Sequence, residues 1–537
     1  YKNMILDCTL RDGGYYVNWD FDPDTVRKYL TAVATAKIEI IEIGFRFLPA
    51  KIFLGASAYS TDVYLKSIDL PGNVLISVMV NASEIINCSE GIDNTVNQLF
   101  TSKSESPVDI VRIAANIDDI EQCYEIVERL NILGYRVFLN LMQIGLISHD
   151  KLVKISSLIE SWNMVEVLYM ADSFGSLDPV NVKKIIKTIE NGWSGPLGIH
   201  AHDNKGLAVQ NTMAALNAGV LYLDSTICGM GRGAGNARTE YLLVELGQRK
   251  DVTYFPDAVF PLALQEFNAL QKIHQWGPNM YYYLSALHGI HPTYIQEMLG
   301  DERYGTDQIL SSINFLKSSK EPFFSFENML RASSGIEGNE YGEWSAEGMF
   351  TGKTILILGS GPSTKKYTDA LQLFIKQNNI FVLCLNINKS VPESMVDAYV
   401  ACHETRILIE FDYYTKLNKP IIIPLTRVPK VIREIIKNIE ILDYGLRVES
   451  GCFGIKKNGC VLSSTLSLAY AISVATIGGA DKILLAGVDG YSSIDKRQIE
   501  MVELFDKYSQ LKNAIPISAI TPTTAPIAQG SVFELIK

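Results

Sequence analysis

Between residue 4 and about residue 231, eight short apolar runs alternate with stretches of helical periodicity. The runs are Met4–Cys8, Ile40–Phe45, Val74–Val80, Asp109–Ala115, Arg136–Met142, Val165–Asp172, Leu197–His202 and Leu221–Gly229. Strands separated each time by a helix form parallel pairs, because a parallel connection must cross the sheet. Eight such units in this length match a (β/α)8 TIM barrel. An open doubly wound sheet is the alternative, but it rarely needs eight parallel strands before a new domain begins.

A barrel of this kind gathers its chemistry at the C-terminal ends of its strands. Those ends carry Arg11 and Asp12, Glu42 and Arg46, Arg112 and Asn116, Asn140 and Gln143, Asp172 and Ser173, His200 and His202, then Asp224. In His200-Ala201-His202 the two imidazoles lie two residues apart and share one face of a strand, a spacing suited to holding one ion. An oxygen ligand from Asp12 would complete a set for a divalent metal of intermediate hardness and leave positions for water or substrate. Such an ion could be chelated by a 2-oxo acid and polarise its ketone, with Arg11 beside the developing oxyanion. His288 and His291 form a weaker alternative pair; the sequence HGIHP reads first as a turn between helices, from which one histidine could reach over the barrel mouth.

Five segments in order resemble the DRE-TIM metallolyases: Asp7-Cys8-Thr9-Leu10-Arg11-Asp12-Gly13, Ile41-Glu42-Ile43-Gly44, Ala171-Asp172-Ser173-Phe174-Gly175, His200-Ala201-His202-Asp203-Asn204, and the glycine-rich run Gly229 to Asn236. That superfamily includes 4-hydroxy-2-oxovalerate aldolases, hydroxymethylglutaryl-CoA lyases, acyl-CoA condensing synthases and pyruvate carboxyltransferases. The resemblance implies Asp12, His200, His202 and Asn236 as ligands of Mn2+ or Mg2+, and Arg11 as the stabiliser of an enolate. It places Tyr15 where the aldolases carry their basic histidine, although a phenol of ordinary pKa near ~10 is a poor base at neutral pH. The glycine-rich run holds no cysteine of the lyase type, and Cys228 just before it reads as a buried strand residue. The resemblance therefore points to an aldolase that joins or splits a 2-oxo acid and an aldehyde. An acyl-CoA condensing synthase and a non-catalytic scaffold are the competing expectations. Family members often pair, so a homodimer is expected.

At 537 residues the chain should hold two to four domains. Its net charge of −11 argues against nucleic-acid binding. The eight cysteines have no CxxC spacing and read as reduced thiols, no run is long enough to span a membrane, and the first residues form an apolar strand instead of a signal peptide, so a cytoplasmic protein is expected. The expected domains are the barrel at 1–254, a helical appendage at 255–335, a linker at 336–351 within a polar, glycine-rich stretch that begins at Ala332, and a Rossmann-like α/β domain at 352–537.

In that last domain, Thr354–Leu358 runs into Gly359-Ser360-Gly361-Pro362-Ser363, a strand–turn–helix junction able to aim N–H groups at a phosphate. A glycine-rich turn with no ligand is the plainer reading, and neither a P-loop nor a complete dinucleotide fingerprint is present. Later apolar runs are Ile380–Leu385, Ala398–Ala401, Pro420–Pro424 and Lys482–Ala486, with an alanine-rich helix near Ser464–Thr476. The order of these landmarks is distantly similar to bacterial sialyltransferases and to pterin-pyrophosphokinase-like and motility-accessory proteins. That similarity implies a nucleotide or nucleotide-sugar site lined by Gly359, Ser360, Gly361, Ser363, Asn386 and Asp489, and with it a role in surface-polysaccharide biosynthesis. His403 reads as a loop residue.

Overall fold

The computed structural model describes residues 3–536 apart from 50–52, 250–253, most of 300–338, scattered positions within 404–438, 450 and 492–495. The chain divides into two compact units, Tyr1–Pro322 and Phe323–Lys537. The first seven residues of the polar stretch from Ala332 lie outside the described residues. The described residues from Asn339 onward belong to the second unit, where Lys456 donates to Glu340, the Gly342 N–H to Asn458 O and the Trp344 N–H to Asp443 O.

The first unit is a closed, all-parallel barrel in the order β1 to β8, with β8 pairing back onto β1. Its strands are β1 Met4–Asp7, β2 Ile40–Phe45, β3 Leu75–Asn81, β4 Ile110–Ala115, β5 Arg136–Leu141, β6 Val167–Asp172, β7 Leu197–Ala201 and β8 Tyr222–Ser225. Each overlaps an apolar run read from the sequence. The eighth is shorter than expected: after Ser225 the chain turns at Ile227–Gly229, where Cys228 has a left-handed φ of 53°. Cys228 is thus a buried turn residue and not a strand residue, and its thiol donates to Ala263 O at 3.2 Å.

The helices follow from local chemistry. In Pro23–Thr35, Asp22 caps the start by accepting the N–H groups of Asp24 and Thr25, Pro23 takes the first turn, and Val26, Tyr29, Leu30 and Val33 recur on one buried face. Asp178 and Pro179 start Pro179–Ile189 in the same way. These faces meet the outward residues of the strands, such as Ile41, Ile43, Val111, Ile113, Leu139 and Leu168. The alternate residues point inward, and the lower part of the barrel is filled by Leu6, Ile40, Ile110, Phe138, Val167, Tyr169 and Tyr222.

Beyond the barrel, the appendage contributes a wide helical turn at Leu262–Phe267 and helices Asn268–His274, Met280–Leu287 and Pro292–Leu299. It packs on the glycine-rich run: Trp276 is buried and donates through Nε1 to Cys228 O, and the Gly233 N–H donates to Gln296 Oε1.

The second unit contains an eight-stranded parallel sheet in the order β13-β12-β11-β10-β9-β17-β18-β19. These are β9 Thr354–Leu358, β10 Ile380–Leu385, β11 Ala398–Val400, β12 Ile421–Ile423, β13 Ile441–Asp443, β17 Lys482–Ala486, β18 Ile517–Ala519 and β19 Ala528–Gln529. A separate small sheet in the order β14-β16-β15 is formed by β14 Gly445–Val448, β15 Phe453–Lys456 and β16 Gly459–Leu462. The helix Ser467–Ile477 is buried on all sides from Ser467 to Thr476, which explains its lack of amphipathic pattern.

Gly198 shows how tightly the barrel interior is filled. A Cβ there would stand 2.5 Å from the Tyr169 ring. Gly198→Ala is expected to destabilise the barrel by about 1–3 kcal/mol through overpacking. Denaturant unfolding of the full chain checks this, and Tyr169→Leu should recover part of the loss in the Gly198→Ala background.

Candidate metal centre and barrel mouth

Above the apolar floor the inward positions turn polar. Arg112 on β4 is wholly buried and donates to Glu42 Oε1 at 3.1 Å, to Asp224 Oδ2 at 2.6 Å and to Asn140 Oδ1 at 3.3 Å, with its guanidinium 4.2 Å from the Tyr169 ring centre. Glu42 Oε1 also receives Arg11 Nε at 2.6 Å, and Arg11 Nη1 reaches Asp12 Oδ1 at 2.6 Å. Asp224 Oδ2 in turn meets His200 Nδ1 at 2.9 Å. One connected network therefore runs from Asp12 through two arginines and two carboxylates to His200.

Asp12 reaches this place on the short helical turn Thr9–Asp12 after β1. One ligand atom from each of Asp12, His200 and His202 lies within 4.8 Å of the others, and all three residues are buried. The two imidazoles stand nearly perpendicular with ring centres 5.0 Å apart. Burial opposes the charge on Asp12, but Arg11, His200, His202 and the Asn236 amide together hold its carboxyl well below the usual range. Burial, assisted by His200, pushes His202 down to about 3, so its imidazole is neutral and able to bind a cation at neutral pH.

The donor set fits a divalent ion of intermediate hardness. Among the described residues, His202 Nδ1 and Asn236 Oδ1 are buried without hydrogen-bond partners, while Asn236 Nδ2 donates to Asp12 Oδ2. His202 and Asn236 also form a bridge between β7 and the end of the glycine-rich run. The neighbouring group Cys8, His200 and Asp224 has similar spacing. It fits a metal poorly, because burial keeps the Cys8 thiol protonated and Asp224 is already engaged by Arg112.

The remaining strand-end polar residues have structural partners. Arg46 pairs with Asp62 and donates to Leu99 O. Asp172 accepts the N–H groups of Ser176 and Leu177, and burial raises it to about 6. Asn116 donates to Ser83 and Asp119, and Gln143 donates its backbone N–H to Ser173.

Tyr15 lies beside the mouth, edge-on to Trp19 and Phe45, in an apolar patch that includes Met79. Arg232 of the glycine-rich run lies over its ring, 5.4 Å from the centre. His291 is buried next to Phe174, and burial together with Arg232 and His202 pushes it well below the ordinary histidine range. His291 of the HGIHP pair lies within electrostatic reach of His202 and Arg232. Its approach depends on the helical appendage, so no spacing within the barrel motifs could have revealed it. Arg232 was likewise hidden in a run read only for its glycines.

The chain belongs to the HMGL-like family. The family model matches residues 2–273. The barrel is similar to "4-hydroxy-2-oxovalerate aldolase" of Carboxydothermus hydrogenoformans, 31% identical over 46% of this chain and 71% of that protein. It is also similar to "Oxaloacetate decarboxylase" of Mycobacterium tuberculosis, 29% identical over 46% of this chain and 70% of that protein. Among solved structures, the hydroxymethylglutaryl-CoA lyase of Bacillus subtilis has a TM-score of 0.43 at 14% identity, over 52% of this chain and 97% of that one. This HMGL-like barrel is a carbon–carbon lyase, and its family implies a divalent metal.

In the second unit, the turns after β9 and β17 meet where the strand order reverses, the crevice in which open α/β sheets bind ligands. Gly359 and Gly361 donate their N–H groups to Ala486 O and Gly487 O. Ser363 donates its N–H to Asp489 Oδ2 at 2.8 Å, and its hydroxyl also reaches Asp489. Asn386 stands at the end of β10 with φ 55° and accepts from Ser467, while Ser360 is exposed. The structure thus brings Gly359, Gly361, Ser363 and Asp489 together, but the Asp489 carboxylate already takes the N–H that an anion would use. No helix among the described residues is long and apolar enough to cross a membrane.

Asp224→Asn should loosen His200 by weakening the hydrogen bond at Nδ1. Mn2+ affinity is expected to fall about 10–100-fold, the usual effect of removing a carboxylate behind a ligating histidine. Titration of the full chain followed by electron paramagnetic resonance of free Mn2+ checks it.

Proposed function

We propose that the barrel makes or cleaves a 4-hydroxy-2-oxo acid through a pyruvate-type enolate. The observation that carries this reading is the convergence of Asp12, His200 and His202 beside Arg11 at the mouth of a closed barrel. The names of the relatives support it, since aldol cleavage of a 4-hydroxy-2-oxo acid and loss of CO2 from the carbon next to the ketone of oxaloacetate both leave the enolate of pyruvate. Asp12, His200 and His202 would hold the ion, with Asn236 Oδ1 as a further donor. When bound, a divalent ion supplies a Lewis acid toward the 2-oxo group.

The chain's own residues account for the rest. Arg11 Nε and Nη1 are spent on Glu42 and Asp12, so Nη2 is the edge left to meet an oxyanion. In the condensing direction the substrate methyl loses a proton to water, the resulting carbanion equivalent attacks the aldehyde carbon, and the new alkoxide takes a proton from water. His291 is the side chain we assign to hold that alkoxide while it is charged, through a ring N–H. It is neutral, buried, and its Nδ1 accepts the Thr293 N–H, which places the ring proton on Nε2. By microscopic reversibility the same N–H steadies the alkoxide from which cleavage begins, the hydroxyl proton passing to water. Tyr15 supports the mouth, its ring packed between Trp19, Phe45 and Arg232.

The reading is tested by deuterium exchange into the pyruvate methyl group, followed by proton NMR. The wild-type chain with Mn2+ or Mg2+ is expected to exchange, and Asp12→Ala and His200→Ala are expected to lose both exchange and bound metal. Exchange retained without metal would overturn it. For cleavage of a 4-hydroxy-2-oxo acid, His291→Ala is expected to lower kcat by about 10²–10³-fold, the range for loss of one oxyanion donor, and Tyr15→Phe by less than about tenfold, since its hydroxyl is assigned no such role. The order of the two effects, read from pyruvate release, decides which residue holds the alkoxide.

A further inference from the structure

The cations at the C-terminal end of the barrel are almost all matched. Arg11 pairs with Asp12 and Glu42, Arg112 with Glu42 and Asp224, and Arg46 with Asp62. Lys205 donates to Ser176 O. Among the described residues Arg232 has no carboxylate within ion-pair distance, and no hydrogen-bond partner there reaches its buried Nε. A guanidinium presents its N–H groups in a rigid planar fork, and a buried N–H left without an acceptor is costly. The Tyr15 ring steadies this cation from its face but offers nothing to its N–H edge.

The backbone fixes where that edge can point. At Gly231 a Cβ would lie 2.5 Å from Asp12 Oδ2, so the run passes directly against the proposed metal ligands. One residue beyond Arg232, the Gly233 N–H is held by Gln296 and its carbonyl accepts the Tyr16 hydroxyl at 2.6 Å. Arg232 is therefore anchored on both sides, between the Asp12, His200 and His202 cluster and the apolar patch of Tyr15, Trp19 and Phe45. Arg11 also lies over this patch, 5.6 Å from the Phe45 ring centre, but it is paired with Glu42 and Asp12, whereas Arg232 has no carboxylate partner among the described residues.

We infer that Arg232 binds an anionic group on the carbonyl acceptor, so that the second substrate of the barrel is an aldehyde bearing a carboxylate or a phosphate. The inference rests on the enolate reading above and adds the charge class of the acceptor. A planar, bidentate partner suits either anion.

The test compares acceptors that differ only in charge: succinic semialdehyde against butanal for a carboxylate, and glyceraldehyde 3-phosphate against glyceraldehyde for a phosphate. Condensation with pyruvate is measured for the full-length wild type, Arg232→Gln and Arg232→Lys. In one pair or the other the wild type should prefer the anionic aldehyde. Arg232→Gln should cut that preference by about 10–100-fold, the scale of a hydrogen bond to a charged group, chiefly through KM, and Arg232→Lys should restore part of it. Each ratio is taken within one protein, so a partly unfolded variant does not distort it. No anionic preference in either pair, or an unchanged ratio in Arg232→Gln, overturns the inference while leaving the enolate reading intact. Absence of pyruvate exchange in the metal-loaded wild type overturns both.

Discussion

The ion network centred on Arg112 and Glu42 is the constraint on which the site depends. A guanidinium fully removed from water is tolerable only when carboxylates and hydrogen bonds replace its hydration, and Arg112 obtains these from Glu42, Asp224 and Asn140 on three other strands. Closure of the barrel is what brings those strands within reach. In return, each carboxylate is fixed in place and is able to position a second residue, Glu42 holding Arg11 and Asp224 holding His200. The orientation of the candidate ligands is thus set one layer below them, by residues that need never touch a substrate.

The charge of that layer also matters. Arg11 and Arg112 face Asp12, Glu42 and Asp224, with His202 neutral above them. In this layer the carboxylates outnumber the guanidiniums, and among the described residues buried oxygens of Glu42 and Asp224 remain without partners. A low-dielectric cavity with surplus negative charge favours a cation. Within the same layer Asp12 stays ionised despite complete burial, since neighbouring groups led by the Arg11 guanidinium outweigh desolvation.

Features with a short period were legible in the sequence. The eight barrel strands follow from apolar runs because inward and outward faces alternate every residue and both are buried, and the His200-x-His202 pair follows from the same alternation. The five principal strands of the second unit's large sheet were legible for the same reason. Its outer strands β13, β18 and β19 and the small sheet β14-β16-β15 do not stand out because polar residues or glycines interrupt them, whereas the equally short β11 and β12 are wholly apolar. Contacts that join distant segments were harder still. Nothing local in Gly359–Ser363 announces that Asp489, more than a hundred residues later, caps that turn. Nor does HGIHP reveal that His291 lies within electrostatic reach of His202 and Arg232, because its position depends on the Trp276, Gln296 and Tyr282 contacts that seat the appendage.

That seating gives the glycine-rich run its meaning. Gly235 has φ 79° and comes so close to Gly229 that a Cβ would stand 1.9 Å from the Gly229 carbonyl, so only glycine lets the run fold back tightly enough to deliver Asn236 to Asp12. The hydrogen bonds from Tyr16 and to Gln296 then clamp it from the barrel side and the appendage side at Gly233. Because backbone holds the run, the side chain of Arg232 is not needed to stabilise it and is available for another purpose. The barrel floor fixes the ligands, the appendage fixes the run, and the mouth between them combines neutral imidazoles with a guanidinium matched by no carboxylate among the described residues. A site arranged in this way separates the work of holding the reacting oxygens, done from below, from the recognition of whatever approaches from above.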